Sequence, residues 1–253
     1  MTSCYMYKDY MTMAKMSQLL NKGEEDYYMA KANELRDIIN KQFFHSDSGY
    51  YANKTQLSYA LPLYIGIVPA EYEHKVAANL AESIRQNNYS LDFGFIGSAI
   101  VPQVLSDYGY NEVMYQMATK TTMPSYGYWI KEWNATTLFE AWDVNRNIGD
   151  ASLNHPSMGS ISAWMMKSLA GINIATDAVA FERIVIKPSF IKELNYVKAS
   201  HQSVRGAIAS QWERKGDMIE LRVVIPANTT ATVVLPDRKH EVGGGVHFFT
   251  ITG

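Results

Sequence analysis

Up to about Asn21 the apolar and aromatic side chains recur at helical spacing, and Lys22-Gly23 breaks the run, so the pattern predicts a helix over 5–21. A second helix is predicted over 24–43. Tyr28, Ala32, Leu35 and Ile39 make one apolar stripe there, and Glu34, Arg36, Asp37 and Lys41 lie off it. Asp47-Ser48-Gly49 reads as a turn. Residues 57–67 predict a short helix closed by Pro69. The next, over 70–86, has Val76, Leu80 and Ile84 four apart, with Ala77 and Ala81 beside them to let a neighbouring helix come close. Residues 95–108 and 111–119 complete a run of antiparallel helical hairpins joined by short loops.

After Gly171 the period changes from helical to two. Strands are predicted at 184–186, 194–200, 207–213, 219–225, 230–235 and 248–252. Val204-Arg205-Gly206 and Lys215-Gly216-Asp217 supply hairpin turns, and Pro188, Pro226 and Pro236 punctuate strand ends. Helices first and strands second argue for two separately packed units, residues 1–173 and 174–253.

The 253 residues are 47% hydrophobic and 19% charged, which suits a substantial core and argues against disorder. A formal net charge of -2 gives no electrostatic case for nucleic acid or an anionic membrane, so neither is expected as a partner. Cys4 is the single cysteine, which excludes an internal disulfide and a cysteine-based metal cluster. Lys8, Asp9 and Lys15 interrupt the first twenty residues, so no signal-peptide core is expected there. No stretch approaches the length of a membrane span.

Candidate chemistry gathers in residues 125–164. Four aromatic residues, Tyr126, Tyr128, Trp129 and Trp133, fall within the first nine of these, Glu140 stands directly before Ala141-Trp142-Asp143, and His155 follows in a Ser-Leu-Asn-His run. Flat apolar rings around a carboxylate and a histidine suit a sugar-cleaving site, where rings stack on the sugar and a fixed acid or base moves a proton. On the residues alone, Glu140 could equally pair with Arg146 or cap a helix. Asp143, three residues on, shares its face if the segment is helical. It could tune Glu140 by like-charge repulsion, or it bonds backbone. No Cys/His cluster, phosphate-binding glycine loop or Ser-His-Asp pattern supports a metal, nucleotide or acyl-transfer reading, and no cofactor is expected.

TTLFEAWD (136–143), SLNHPSMGS (152–160) and LAGI (169–172), with LDFGFIG (91–97) and FERIVIKP (181–188), resemble the bacterial α-L-rhamnosidases, glycoside hydrolase family 78. The resemblance departs from that family's usual residues at Asn134, Phe139 and Ala141. It implies a mainly α chain with a C-terminal β domain: part of an (α/α)6 helical-hairpin barrel followed by a small antiparallel β-sandwich. It also implies cleavage of terminal α-L-rhamnose with inversion, from a rhamnose-containing glycoside or oligosaccharide.

By the same resemblance Glu140 is the base that activates the attacking water, and His155 is a sugar contact. Asn154 contacts sugar or, with Ser152, caps the helix after Pro156. Trp142 is the first candidate to stack on the ring; Trp129, Trp133 and Tyr128 are further candidates or barrel core. Asp92, which replaces a usually small polar residue, could face the pocket. The family's general acid comes from an Asp- and Glu-rich stretch that does not occur between Met1 and Ser125. The chain is therefore expected to be a C-terminal part of a longer enzyme, weakly active or inactive by itself, with an uncovered apolar helix face that drives self-association or lowers solubility. Two alternatives stay open: another exo-acting glycosidase on the same barrel, or a non-catalytic carbohydrate-binding remnant.

Overall fold

A computed structural model describes residues 1–143 and 151–252, in two compact units, Met1–Met158 and Gly159–Gly253. The first unit is built of helices. α1 (Thr2–Leu19) packs along α2 (Glu25–Phe43), and the Ser17 hydroxyl accepts the Glu24 amide at 2.9 Å where the chain turns back. Acidic Glu25 and Asp26 in the first turn of α2 and Lys41 in its last complement the helix dipole. The turn predicted at 47–49 is the tip of a small hairpin, β1 (Phe44–His45) with β2 (Tyr50–Tyr51), where Gly49 adopts φ +70°.

α3 (Gln56–Ile65) starts at Thr55, whose side chain accepts the Ser58 amide, and stops at Gly66 in the left-handed conformation. It packs against α4 (Glu73–Gln86) and α5 (Phe95–Asp107). The α4 stripe of Val76, Ala77, Leu80, Ala81 and Ile84 is fully buried. α6 (Asn111–Thr119) lies against α5 and α7 (Tyr126–Trp133). The aromatic run that forms α7 carries no clear period, yet its ends are specified: Ser125 caps the Tyr128 amide and Asn134 ends the helix at φ +48°.

In the second unit, α8 (Ser160–Trp164) widens into a π turn over Met165–Leu169, within the helix expected after Pro156. Two four-stranded sheets follow. One has the order β3 (Ile172–Ile174), β4 (Arg183–Ile186), β8 (Thr230–Val234), β9 (Lys239–Val242). The other runs β10 (Gly245–Thr252), β7 (Met218–Ile225), β6 (Gly206–Lys215), β5 (Tyr196–Ser203). Pairing is antiparallel throughout except between β4 and β8, which are parallel. Ile172, Ile184, Ile186 and Val233 of the first sheet share a core with Ile208, Trp212, Leu221 and Val223 of the second, which makes a β-sandwich. β3 and β9 carry little alternation to read: one is three residues long, the other is the polar edge segment Lys-His-Glu-Val.

Candidate active site

Glu140 stands outside regular secondary structure, on the chain leaving α7, and is exposed. Two segments hold it. The Thr137 hydroxyl donates to the Leu153 carbonyl at 2.6 Å and the His155 amide to the Leu138 carbonyl at 2.8 Å. Farther along, the Glu140 amide donates to the Ser152 carbonyl at 2.9 Å, and the Ser152 amide returns a bond of 2.9 Å to Glu140 Oε2. Oε1 has no partner among the described residues. Arg146, the alternative partner for this carboxylate, lies outside the described residues.

Below Glu140 is an aromatic stack. Trp142 lies on Trp129 with ring centroids 4.6 Å apart and 19° between planes, and Tyr126 meets Trp142 edge-on at 5.1 Å. Trp142 Nε1 donates to the Phe93 carbonyl at 2.5 Å, and Trp129 Nε1 to the Trp142 carbonyl at 3.3 Å. This fixes both the ring and the backbone two residues from Glu140. Trp129 is 1% exposed, so its ring is floor beneath Trp142 and offers no face to a ligand. Trp133 packs edge-on against Phe139, and Trp164 is core.

A cleft of about 410 Å3 joins Glu140, Trp142 and Asp143 to Asp92, with Phe93, Met123 and Pro124 in its wall. The Met123-Pro124 peptide bond is cis. Both Asp92 oxygens accept the Gln56 amide, each at 3.1 Å, and Gln56 Oε1 accepts the Asp92 amide at 3.3 Å. Although Asp92 is exposed as a residue, its carboxylate lies against the first turn of α3. Desolvation there raises its pKa above the ordinary 3.8, opposed by the Gln56 N–H.

His155 is partly buried and is not among the residues lining this cleft. Its Nδ1 accepts the Ser157 amide at 3.3 Å and its ring lies 6.5 Å from that of Phe95, which is 56% exposed. Asn154 is exposed. Its backbone is held by Ser152, whose hydroxyl accepts the Asn154 amide at 3.2 Å and donates to the Asn154 carbonyl at 3.1 Å. Thus Glu140, Trp142, Asp143 and Asp92 share one cleft, while Ser152 ties the His155 segment to Glu140. Ser152 and the Met123-Pro124 wall were not identified as site components from the sequence, since both act through backbone geometry. Among the described residues no group of three His, Cys, Asp or Glu side chains could hold a metal ion, and no helix is long and apolar enough to cross a membrane.

Helical hairpins that present an exposed carboxylate beside stacked aromatic rings point to a glycosidase domain, and residues 1–169 match the bacterial α-L-rhamnosidase six-hairpin glycosidase domain. Residues 171–249 match the bacterial α-L-rhamnosidase C-terminal domain. The chain belongs to the bacterial α-L-rhamnosidase family. An α-L-rhamnosidase of Streptomyces avermitilis is 30% identical over 94% of the chain, and one of Formosa agariphila 30% identical over 90%. The chain spans about 25% of the length of each.

Among solved structures, α-L-rhamnosidase from Aspergillus terreus superposes with TM-score 0.90 at 31% identity, covering 98% of this chain and 30% of that one. The Streptomyces avermitilis enzyme in complex with L-rhamnose gives 0.89 at 27% identity, covering 99% and 26%.

Proposed function

We propose that these residues carry the water-activating half of an α-L-rhamnosidase that releases terminal rhamnose with inversion. The observation that carries this reading is the Glu140 carboxylate itself: exposed at a cleft, with Oε2 anchored by the Ser152 amide and Oε1 unpartnered among the described residues. Oε1 takes a proton from water as that water attacks the anomeric carbon, and the glycosidic oxygen leaves with a proton from a second carboxyl group. We assign that general acid to none of these residues. Asp92, the other carboxylate tied down in the cleft, has both oxygens engaged by α3. Trp142 presents the stacking face, and Asp143 orients a sugar hydroxyl. His155 and Asn154 meet the sugar from the adjoining segment, His155 through Nε2 because Nδ1 is occupied. The S. avermitilis enzyme's complex with L-rhamnose supports this substrate class.

A leaving group that departs without protonation separates the two halves of the chemistry. The chain is expected to hydrolyse p-nitrophenyl α-L-rhamnoside slowly, with the β-anomer formed first, and to leave unactivated rhamnosides nearly intact. Glu140→Gln should abolish the slow reaction while keeping affinity for L-rhamnose. Initial formation of the α-anomer, or an unchanged rate in Glu140→Gln, would rule out the assignment.

Self-association is part of the same reading. α1 buries Cys4, Tyr7, Ala14 and Ser17, and leaves Met6, Met13, Met16 and Leu19, with Leu20 just after it, between 41% and 70% exposed. An apolar surface of that kind favours contact with another.

A further inference from the structure

In the sheet β10-β7-β6-β5, Phe248 is paired opposite Arg222, Arg222 opposite Gln211, and Gln211 opposite Lys198. The four side chains form one row from edge strand to edge strand, on the face turned away from the core residues Leu221 and Val223. Two residues along, Glu213 and Glu220 pair with each other on the same face. These six side chains line a trough of about 480 Å3, within the size range of ligand sites. At ~4.8 Å between strands, Phe248 and Lys198 stand ~14 Å apart across it.

We propose that this trough binds an internal stretch of a neutral oligosaccharide, as a site separate in its residues from the Glu140 cleft and independent of the role given to Glu140. Phe248, 74% exposed, offers a flat apolar face of the kind that takes the C–H side of a pyranose ring. Arg222 and Gln211 supply forked donors and an acceptor suited to neighbouring hydroxyls, and the Arg222 Nη1 bond to Gln211 Oε1 at 3.4 Å sets one against the other. Glu220 is steadied by Lys215 at 2.6 Å, just outside the trough. Two cations, Lys198 and Arg222, face two carboxylates, Glu213 and Glu220, so the lining does not select for an anion. The row reaches both sheet edges, which leaves room for a chain to continue on either side.

Calorimetric titration of the 253-residue chain with short rhamnan and xylan oligosaccharides, and with an oligogalacturonate of matching length, tests this. At least one neutral oligosaccharide should bind, more tightly than the oligogalacturonate. Phe248→Ala should weaken that binding about ten-fold. Gln211→Ala should weaken it as well, and serves as the second variant if the edge strand tolerates Phe248→Ala poorly. Glu140→Gln and excess free L-rhamnose should leave it in place. Absence of binding by both neutral oligosaccharides, preference for the oligogalacturonate, or unchanged affinity in both sheet variants overturns the proposal. Loss of hydrolysis at Glu140 has no bearing on it.

Discussion

Glu140 and Ser152 exchange two hydrogen bonds, backbone amide to carbonyl in one direction and backbone amide to carboxylate in the other, both 2.9 Å long. The carboxylate to which we assign proton transfer is thus held by the segment that also carries His155. Because the donor is the Ser152 amide, Ser152→Ala keeps the bond to Glu140 and loses only the hydroxyl's bonds to Asn154, so kcat should change little, whereas Ser152→Pro removes the donor. For the exposed carboxylate we expect Ser152→Pro to lower kcat about ten-fold, ~1.4 kcal/mol of barrier, with a smaller change in KM. Steady-state kinetics on p-nitrophenyl α-L-rhamnoside measure both. Equal losses in the two variants would place the effect in the hydroxyl instead.

Trp142 has two separable jobs. Trp142→Phe keeps a ring over Trp129 but strands the Phe93 carbonyl, and should cost ~1 kcal/mol in denaturant unfolding. Trp142→Ala uncovers Trp129 as well and should cost ~3 kcal/mol, with rhamnose affinity lost in parallel.

Asp92 gives the first unit a pH signature. Its native pKa lies above 3.8 because desolvation outweighs the Gln56 N–H, so the folded state holds this proton more tightly than the unfolded chain does. The resulting stability is full below 3.8 and is lost as pH rises through the native value. Asp92→Asn, whose amide oxygen still accepts from Gln56, should remove that decline from a plot of unfolding free energy against pH. The wild-type curve minus that of Asp92→Asn isolates the effect, and a difference that instead rises across the same interval contradicts the sign.

Gly171 ends the π turn at φ +76°, and a Cβ there would stand 2.2 Å from the Lys187 carbonyl carbon and 2.2 Å from Pro188 N. Both obstacles are backbone, so Gly171→Ala should cost ~2–4 kcal/mol, strain in the left-handed region adding to the clash. Thermal unfolding of the variant is the measurement.

The exposed methionines of α1 predict association that grows with concentration. Replacing Met13 and Met16 by Lys should shift sedimentation toward the single chain while leaving the melting temperature within a few degrees, since neither residue is buried.

Elements with one clean period are legible in the sequence. The stripe on α4 and the alternation of β7 each follow from burial on one side, and the two hairpin turns fall at Val204-Arg205 and Gly216-Asp217. α7 was not readable, because eight residues rich in aromatics fit helix and site equally well; its capping residues Ser125 and Asn134 were the available signal. Within the site, the motif located Glu140 and Trp142 in one cleft. It could not reveal that Trp129 lies beneath Trp142 or that His155 turns toward Phe95, since both depend on how a chain without regular structure folds over α5 and α7.

Two stacked indoles, 4.6 Å apart with nearly parallel planes, couple their electronic transitions, so the Trp129–Trp142 pair acts as a built-in optical reporter. A sugar settling on the outer ring changes the surroundings of one member only. The near-ultraviolet circular dichroism of the pair then registers occupancy of the cleft without a label, even where no bond is cleaved.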